Sequence, residues 1–503
     1  MTASDVFIIG AGPAGLTASY LLTKEGISTT VIEADPTYVG GISRTANYKD
    51  FKFDIGGHRF FSKSQEVVDL WNEILPQDFI DRPRLSRIYY NGRYFSYPLK
   101  AFEAFNNLGP VESAMCVLSY MYKRAFPHEK PENFHEWVAN QFGERLFAIF
   151  FKTYTEKVWG MSCDEISADW AAQRIKGLDL YSAMSNALRN SIAPNAGKAS
   201  KNGEVIKTLI DSFRYPRQGP GMMWDAAAAK TRAQGGDIHM GQTLDSMTWD
   251  DDAKLWTITA RTADGDLAQY QAKHALSSAP ITELVASLDV SDTARSATRK
   301  LRYRDFLTVA LVVEKPDLFP DNWIYIHEPS VKVGRIQNFR SWSPEMVPNQ
   351  NQSCLGLEYF CFEGDGLWTS SDDELIALAT KELAIIGLAA DEDIVDGCVV
   401  RQKKAYPVYD DGYKDNVEAI RADLAARYPT LHLVGRNGMH KYNNQDHAMM
   451  TAMLTVKNIV AGDLVYDIWN VNEDAEYHEA GNSGEQQALS SVRMVPQRVK
   501  VAS

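Results

Sequence analysis

The sequence predicts an α/β fold that opens on a parallel sheet with a crossover helix, and three observations carry that prediction. Residues 6–9 are a short apolar, largely β-branched run, Val6-Phe7-Ile8-Ile9. They lead directly into Gly10-Ala11-Gly12-Pro13-Ala14-Gly15 and then into a helical stretch over residues 16–24. A second β-rich run, over residues 28–32, ends at Glu33. A strand, a GxGxxG turn, a helix and a second strand, with an acid about 20 residues beyond the glycines, form a Rossmann-like dinucleotide-binding unit.

Each residue of that turn has a physical task. Gly10 permits the tight turn, Gly12 lets backbone approach a pyrophosphate, and Gly15 lets helix and strand pack closely. Pro13 and Ala14 complete the turn, and the N-terminus of the helix that follows presents free N–H groups and a positive dipole end to phosphate oxygens. Glu33 is placed to accept hydrogen bonds from an adenosine ribose. The chain continues through Tyr38-Val39-Gly40-Gly41-Ile42-Ser43-Arg44-Thr45. Gly40, Gly41 and Arg44 resemble the segment that runs back along the cofactor pyrophosphate in amine-oxidase-like flavoproteins. A further pair, Gly56-Gly57, precedes His58 and would let backbone approach an isoalloxazine ring; alone it also reads as an ordinary turn. The expected cofactor is therefore FAD. No second GxGxxG with strand and helix flanks follows, so a separate nicotinamide domain is not expected.

At 503 residues the chain predicts about three domains. The FAD unit is expected in three pieces, over residues 1–99, 206–299 and 406–476. Residues 100–205 read as a helical domain, with an exposed loop over 195–203. After Gly219-Pro220-Gly221 a helix is expected over 222–233, followed by 237–241 and by strands over 255–261 and 267–275. Residues 300–405 carry β-rich runs over 306–314, 323–326, 334–338 and 354–362, then a helix over 373–386. They read as an antiparallel sheet bearing the substrate surface. A late strand precedes Gly435, a helix follows over 448–460, and residues 477–503 form a polar tail. There are no internal repeats.

Composition removes some function classes. The chain has 52 Lys+Arg against 65 Asp+Glu, a formal net charge of −13, with no long basic run. A nucleic-acid partner is not expected, because phosphate neutralisation needs a basic face. An anionic small substrate would need a few placed arginines. Cys116, Cys163, Cys354, Cys361 and Cys398 are odd in number and show no CxxC spacing, so they read as packing in a reducing compartment. Met449-Met450 also reads as packing. No metal site is expected. The first residues carry no basic run ahead of an apolar one, so no signal peptide is expected. No apolar run reaches the roughly 18–20 residues of a membrane span. A cytoplasmic protein is expected, with homo-oligomerisation left open.

Four stretches go further. They are Asp54-Ile55-Gly56-Gly57-His58, Tyr154-Thr155-Glu156-Lys157-Val158-Trp159-Gly160, Trp170-Ala171-Ala172-Gln173-Arg174, and Gly435-Arg436 followed by Tyr442-Asn443-Asn444-Gln445-Asp446-His447. In order and spacing they resemble the UDP-galactopyranose mutase family, within the FAD-dependent amine-oxidase and protoporphyrinogen-oxidase-like superfamily. The resemblance runs to about residue 462, and the Tyr-Thr-Glu-Lys-x-Trp-Gly string is its most specific part. It implies that Arg174, Arg335, Tyr406 and Tyr442 bind a substrate diphosphate and that Trp159 lines the sugar pocket. It places His58 beside the flavin, and Arg436, Asn444, Gln445 and Asp446 with Gly435 against the cofactor. His58, Arg174 and Arg335 are the implied catalytic set.

Each position also has a plainer reading. Arg174 reads as a solvated helix arginine, Trp159 and Tyr406 as core aromatics, His58 as a structural histidine, and Asn443-Asn444 as a loop with a helix cap. Arg335, between Gly334 and Ile336 on a strand, is poorly placed for an unpaired charge. Residues 321–327 read as strand core, with Trp323 and His327 able to face substrate.

The implied activity is pyranose/furanose interconversion of a nucleotide sugar such as UDP-galactose, with N5 of reduced FAD as nucleophile at the anomeric carbon. NADH or NADPH would be the transient reductant, and polysaccharide biosynthesis the implied setting. The competing class is an FAD-dependent oxidoreductase that takes hydride from an amine, a sugar or a lipid-linked substrate. It shares the fold, and fold does not decide function.

Overall fold

A computed structural model of the chain describes residues 2–97, 99–168, 212–410 and 412–471. The glycine-rich unit forms at the centre of a seven-stranded mixed sheet. Strand Thr2–Ile9 pairs in parallel with Thr29–Glu33 on one side and with Leu267–Ser277 on the other. Asp237–Met240 extends the sheet in parallel beyond Thr29–Glu33. On the other flank Leu255–Thr262 and Gln242–Asp250 add antiparallel strands. The short strand Leu431–Leu433 runs parallel to the end of Leu267–Ser277. Distant segments thus complete one sheet. Val6, Phe7 and Ile8 are fully buried because helices cover both faces.

On one face, helices Pro13–Lys24, Gly221–Ala233 and Gln445–Ala461 share a core with Val6, Ile8 and Val31. On the other, Ile281–Ala286, Asp292–Thr298 and Tyr413–Arg427 pack over Phe7, Ile9 and Trp256. Two helices start three residues earlier than their apolar periodicity indicates, at Pro13 and at Gln445. Pro13 takes the first helical position, where its missing N–H costs nothing. Asn444 caps the later helix reciprocally with His447.

The second sheet also has seven strands, in the order Ile394–Pro407, Tyr303–Val313, Ser353–Cys361, Arg335–Asn338, Trp323–Ile326, Ser86–Tyr90 and Arg93–Ser96. Two expectations need correction. The sheet is not wholly antiparallel, since Trp323–Ile326 pairs in parallel with Ser86–Tyr90. In addition, the hairpin over residues 86–96 leaves the expected 1–99 segment and joins this sheet. Its turn is Asn91-Gly92, both at positive φ (49° and 72°), the geometry that matches strand twist in a two-residue hairpin. One face of the sheet, with Val309, Leu357 and Ile336, is closed by helix Asp372–Ile385. The opposite face carries Thr308, Glu358 and Arg335 and looks toward the first unit.

Helices Ala101–Leu108, Pro110–Ala125, Phe134–Phe142 and Thr153–Trp159 build the helical unit around Cys116, Phe134, Val138 and Phe150. The expected loop over 195–203, Arg174 and the tail over 477–503 lie outside the described residues. All five cysteines are free thiols. Among the described residues no helix is long and apolar enough to cross a membrane, and no group of acidic, His or Cys side chains could hold a metal ion.

Candidate active site

The first unit and the second sheet meet at Gly56 and Gly57. A Cβ on Gly57 would lie 3.0 Å from Gln337 Nε2 and 3.2 Å from the Trp342 ring; one on Gly56 would lie 3.8 Å from Arg335 Nη2. At Gly57 a side chain would force these neighbours to give way, and at Gly56 the φ of +91° favours glycine. The same holds at the helix start, where a Cβ on Gly15 would sit 1.9 Å from the Gly10 carbonyl oxygen. Gly40 and Gly41, at φ +97° and +56°, bring their loop against Gly12 and Trp224. Gly435, at φ +77°, brings the last segment against Ala14. No side chain caps helix Pro13–Lys24, so its first-turn N–H groups stay open to an anion.

Glu33 ends its strand with both oxygens on backbone: Oε2 accepts from Ala11 N–H at 2.7 Å and Oε1 from Asp35 N–H at 3.0 Å. Each oxygen keeps a second lone pair for a ribose hydroxyl. Arg44 Nη1 donates to Gly41 O at 2.9 Å and to Gln402 Oε1 at 2.6 Å, tying the cofactor loop to the second sheet. This cradle fits a dinucleotide. Gly10, Gly12, Pro13, Ala14 and Gly15 would hold the pyrophosphate, Glu33 the ribose, and Gly56-Gly57 the flavin ring.

On the sheet face, Arg335 Nε donates to the fully buried Glu358 at 2.5 Å. Glu358 accepts a second bond from Gln337 Nε2 at 2.8 Å, and Gln337 in turn accepts from Trp342 Nε1 at 3.0 Å. Burial works against the Arg335 charge, but Glu358 and the electron-rich tyrosines 154, 406 and 325 hold its pKa well above the ordinary value. Its two Nη groups make no hydrogen bond among the described residues. Tyr406 and Tyr442 stack at 5.6 Å with 12° between planes, and the Arg436 guanidinium sits 5.2 Å and 4.9 Å from their ring centres. Tyr154 stacks on His327 at 5.0 Å and meets Tyr325 edge-on at 5.3 Å. His58, Tyr154, Arg335 and Tyr406 lie as deep as core residues yet each keeps accessible surface, so they face an internal cleft.

The cleft is electropositive in an acidic protein. Burial, then Arg436 and Arg335, lowers the His58 pKa to about 3, so its ring is neutral at pH 7; Nδ1 lies 3.2 Å from Gly56 O. Asp446, in the first turn of its helix, has an Oδ2 that is buried without a hydrogen-bond partner, and burial raises its pKa to about 7. The native state therefore holds a proton that the unfolded chain gives up between about pH 4 and pH 7. The stability linked to that proton is present below the ordinary carboxyl range and lost as pH rises through about 7. Asp446→Asn should match its parent at pH 4 and be more stable at pH 8, by up to about 4 kcal/mol. Thermal unfolding of flavin-stripped protein across that range checks it; a parallel pH dependence in both proteins would count against the assignment.

The structure thus brings His58, Arg335, Tyr406, Tyr442 and Arg436 together. Trp159 lies one layer back: it is 7% exposed, within the core of the helical unit, with Tyr442 packed against that cluster. Asn444 is the helix cap, and Gln445 donates to Arg59 O at 3.0 Å. Sequence reasoning missed Glu358, Tyr154, Gln337 and Gln402. A signal existed for Glu358, an acid inside an apolar strand, and for Tyr154, which opens the Tyr-Thr-Glu-Lys string. Lys157 of that string donates to the carbonyls of Ile326, Glu328 and Val333 and pins the loop that leads to Arg335.

Known proteins share the fold that carries this site. A protein described as a probable UDP-galactopyranose mutase from Klebsiella pneumoniae is 26% identical over 179 residues; the match spans 33% of this chain and 44% of that relative. The crystal structure of reduced UDP-galactopyranose mutase superposes with a TM-score of 0.75 at 24% identity, over 91% of this chain and 96% of that one. Wild-type putrescine oxidase bound to putrescine superposes with a TM-score of 0.59 at 18% identity, over 91% and 99%. These two structures share the fold. The family model for flavin-containing amine oxidoreductases matches residues 13–444, most of the chain. The chain belongs to the flavin-containing amine oxidoreductase family.

Proposed function

We propose that this flavoenzyme interconverts the pyranose and furanose forms of a nucleotide sugar of the UDP-galactose type, with FAD in its reduced state and NADH or NADPH as reductant. The observation that carries the reading is Arg335, a cation held charged by Glu358, with its Nη groups turned to the cleft beside Gly56 and His58. A diphosphate brings about two charges, which a forked guanidinium binds with charge-assisted hydrogen bonds. Tyr406 and Tyr442 add hydroxyl donors on a rigid stacked pair, and Arg174 completes the proposed set.

When bound, reduced flavin supplies the nucleophile for the anomeric carbon. The chain's own residues do the rest. Arg335 and the tyrosines stabilise the diphosphate as it leaves and keep it at hand for return. His58, neutral at working pH, offers a hydrogen bond near the sugar without adding charge. Glu358 keeps Arg335 from turning away.

The amine-oxidising reading is disfavoured by the same geometry. Rings 5.6 Å apart leave no room for an amine between Tyr406 and Tyr442, and Arg335 and Arg436 repel a cation. The test is incubation with UDP-galactopyranose, oxidised in one tube and dithionite-reduced in the other, with products separated by HPLC. A furanose peak in the reduced tube alone is expected. No furanose in either tube, together with no UDP binding, would return the protein to the oxidoreductase class.

A further inference from the structure

The outer side of helix Pro110–Ala125 is apolar along its whole length. Among the described residues thirteen large hydrophobic side chains are exposed, and six of them fall between Val111 and Phe126. Val111, Met115, Leu118, Met121 and Tyr122 are 48–77% exposed, and Ala114 and Ala125 are exposed beside them. Single exposed apolar side chains are ordinary on a protein surface, whereas a contiguous patch of them marks an interaction surface.

The helix is fixed with that side outward. Its inner side carries Cys116 into the core of the helical unit, which also holds Phe150 and Trp159. Tyr120 packs so closely on the turn between helices Phe134–Phe142 and Glu144–Phe147 that a Cβ on Gly143 would lie 2.6 Å from the Tyr120 nitrogen. Ion pairs hold both ends, Glu112 with Arg145 and Lys123 with Glu144 at 2.8 Å. A roll of the helix that buried its apolar side would break all of these contacts.

Spacing identifies what fits the face. Val111, Ala114, Met115, Met121, Tyr122 and Ala125 lie three, four and seven residues either side of Leu118, the stripe of a helix–helix seam. Because the stripe is symmetric about Leu118, it matches a copy of itself running the other way. An antiparallel copy centred there sets Leu118 against Leu118. Ala114 and Met115 then lie beside Met121 and Tyr122 of the copy, and Val111 beside its Ala125. Small side chains thus meet large ones, the pattern by which facing helices interdigitate. Tyr122 and Phe126, with ring centres 5.2 Å apart, close each end.

Area and charge agree with that occupant. At these exposures the stripe and Phe126 present roughly 700 Å² per copy, near the ~800 Å² per partner of a standard stable interface. No charged side chain interrupts the stripe, as in the core of an interface. The helix sets Glu112 against Lys123 and Arg124, so the acidic excess of the chain lies elsewhere. A membrane suits this face less well, because a surface helix holds anionic lipid through a strongly basic flank.

We propose that a second copy of this chain covers the face, giving a two-fold dimer in which the Pro110–Ala125 helices pack antiparallel across Leu118. A closed contact of this kind needs only one self-complementary patch. It joins the copies through the unit that carries the Tyr154 to Gly160 segment, and it is independent of the nucleotide-sugar reading.

The experiment is analytical ultracentrifugation of the full-length, flavin-loaded protein over the micromolar range. The parent should sediment at twice the chain mass. Leu118→Glu and Leu118→Lys, each checked for the parental flavin spectrum, should weaken association at least about 100-fold, because each sets like charges face to face on the two-fold axis. An equimolar mixture of the two should associate at least about tenfold more tightly than either alone, since opposite charges then meet. Met121→Glu serves if neither Leu118 variant keeps the flavin spectrum, and should weaken association in the same sense. A parent that stays monomeric up to about 50 µM would overturn the proposal. Binding of that monomer to phosphatidylcholine–phosphatidylglycerol vesicles would then give the face to a lipid surface, and no binding would give it to the chain itself. Dimers that persist in both Leu118 variants, or a mixture no tighter than its components, would overturn it as well.

Discussion

Arg335→Met is expected to weaken UDP and UDP-sugar binding by about 100- to 1,000-fold while the protein still carries flavin. That scale follows from truncating one side of a desolvated, charge-assisted contact. A second effect comes with it. Glu358 is fully buried, and without Arg335 it keeps, among the described residues, only the side-chain bond from Gln337. A buried charge that loses its partner typically costs about 3–5 kcal/mol of stability. The two effects separate in the double variant Arg335→Met/Glu358→Gln. Removing the orphaned charge should recover most of the stability and none of the binding. The visible flavin spectrum, thermal unfolding and UDP titration together read all three quantities. Parental UDP affinity in Arg335→Met would end the diphosphate assignment.

Gly15→Ala should yield protein that is colourless or insoluble. The added methyl would fall 1.9 Å from the Gly10 carbonyl oxygen, with the Gly10 carbonyl carbon at 3.1 Å and the Ile8 side chain at 3.3 Å. None of these can retreat cheaply, since Gly10 is held at φ +97° and Ile8 is fully buried. The helix must lift off the strand, and lifting it moves the N-terminus on which the pyrophosphate would rest. Gly366→Ala is the control, because a Cβ there meets nothing within 4 Å. The ratio of flavin to protein absorbance in the purified variants decides the matter. A yellow Gly15→Ala protein with parental flavin content would contradict the packing argument.

The local signals in this chain were readable because they are contiguous. The strand, the Gly10 to Gly15 turn and the following helix declare themselves within the first 24 residues, and the structure differs in where the strand and the helix begin, at Thr2 and at Pro13. The Asn91-Gly92 turn was equally local, yet its destination was not: nothing between residues 86 and 96 says that the hairpin will pair with Trp323–Ile326, more than 200 residues away. Arg335 could be singled out because a charge between Gly334 and Ile336 on a strand is conspicuous. Its counter-ion could not be assigned, because an acid 23 residues away becomes a neighbour only through strand register.

By itself, then, the sequence determined that the chain builds a glycine-rich dinucleotide-binding unit, that an acid ends its second strand, and that a Gly-Gly-His segment approaches whatever the unit holds. These follow from backbone sterics and short-range periodicity, which act within a few residues. Only the tertiary structure decided that Glu358 keeps Arg335 charged, that Tyr406 and Tyr442 stack, and that Trp159 withdraws into the helical core. Charge state, burial and hydrogen-bond satisfaction depend on which side chains meet across the fold, and those meetings are set by the pairing of two sheets assembled from distant parts of the chain.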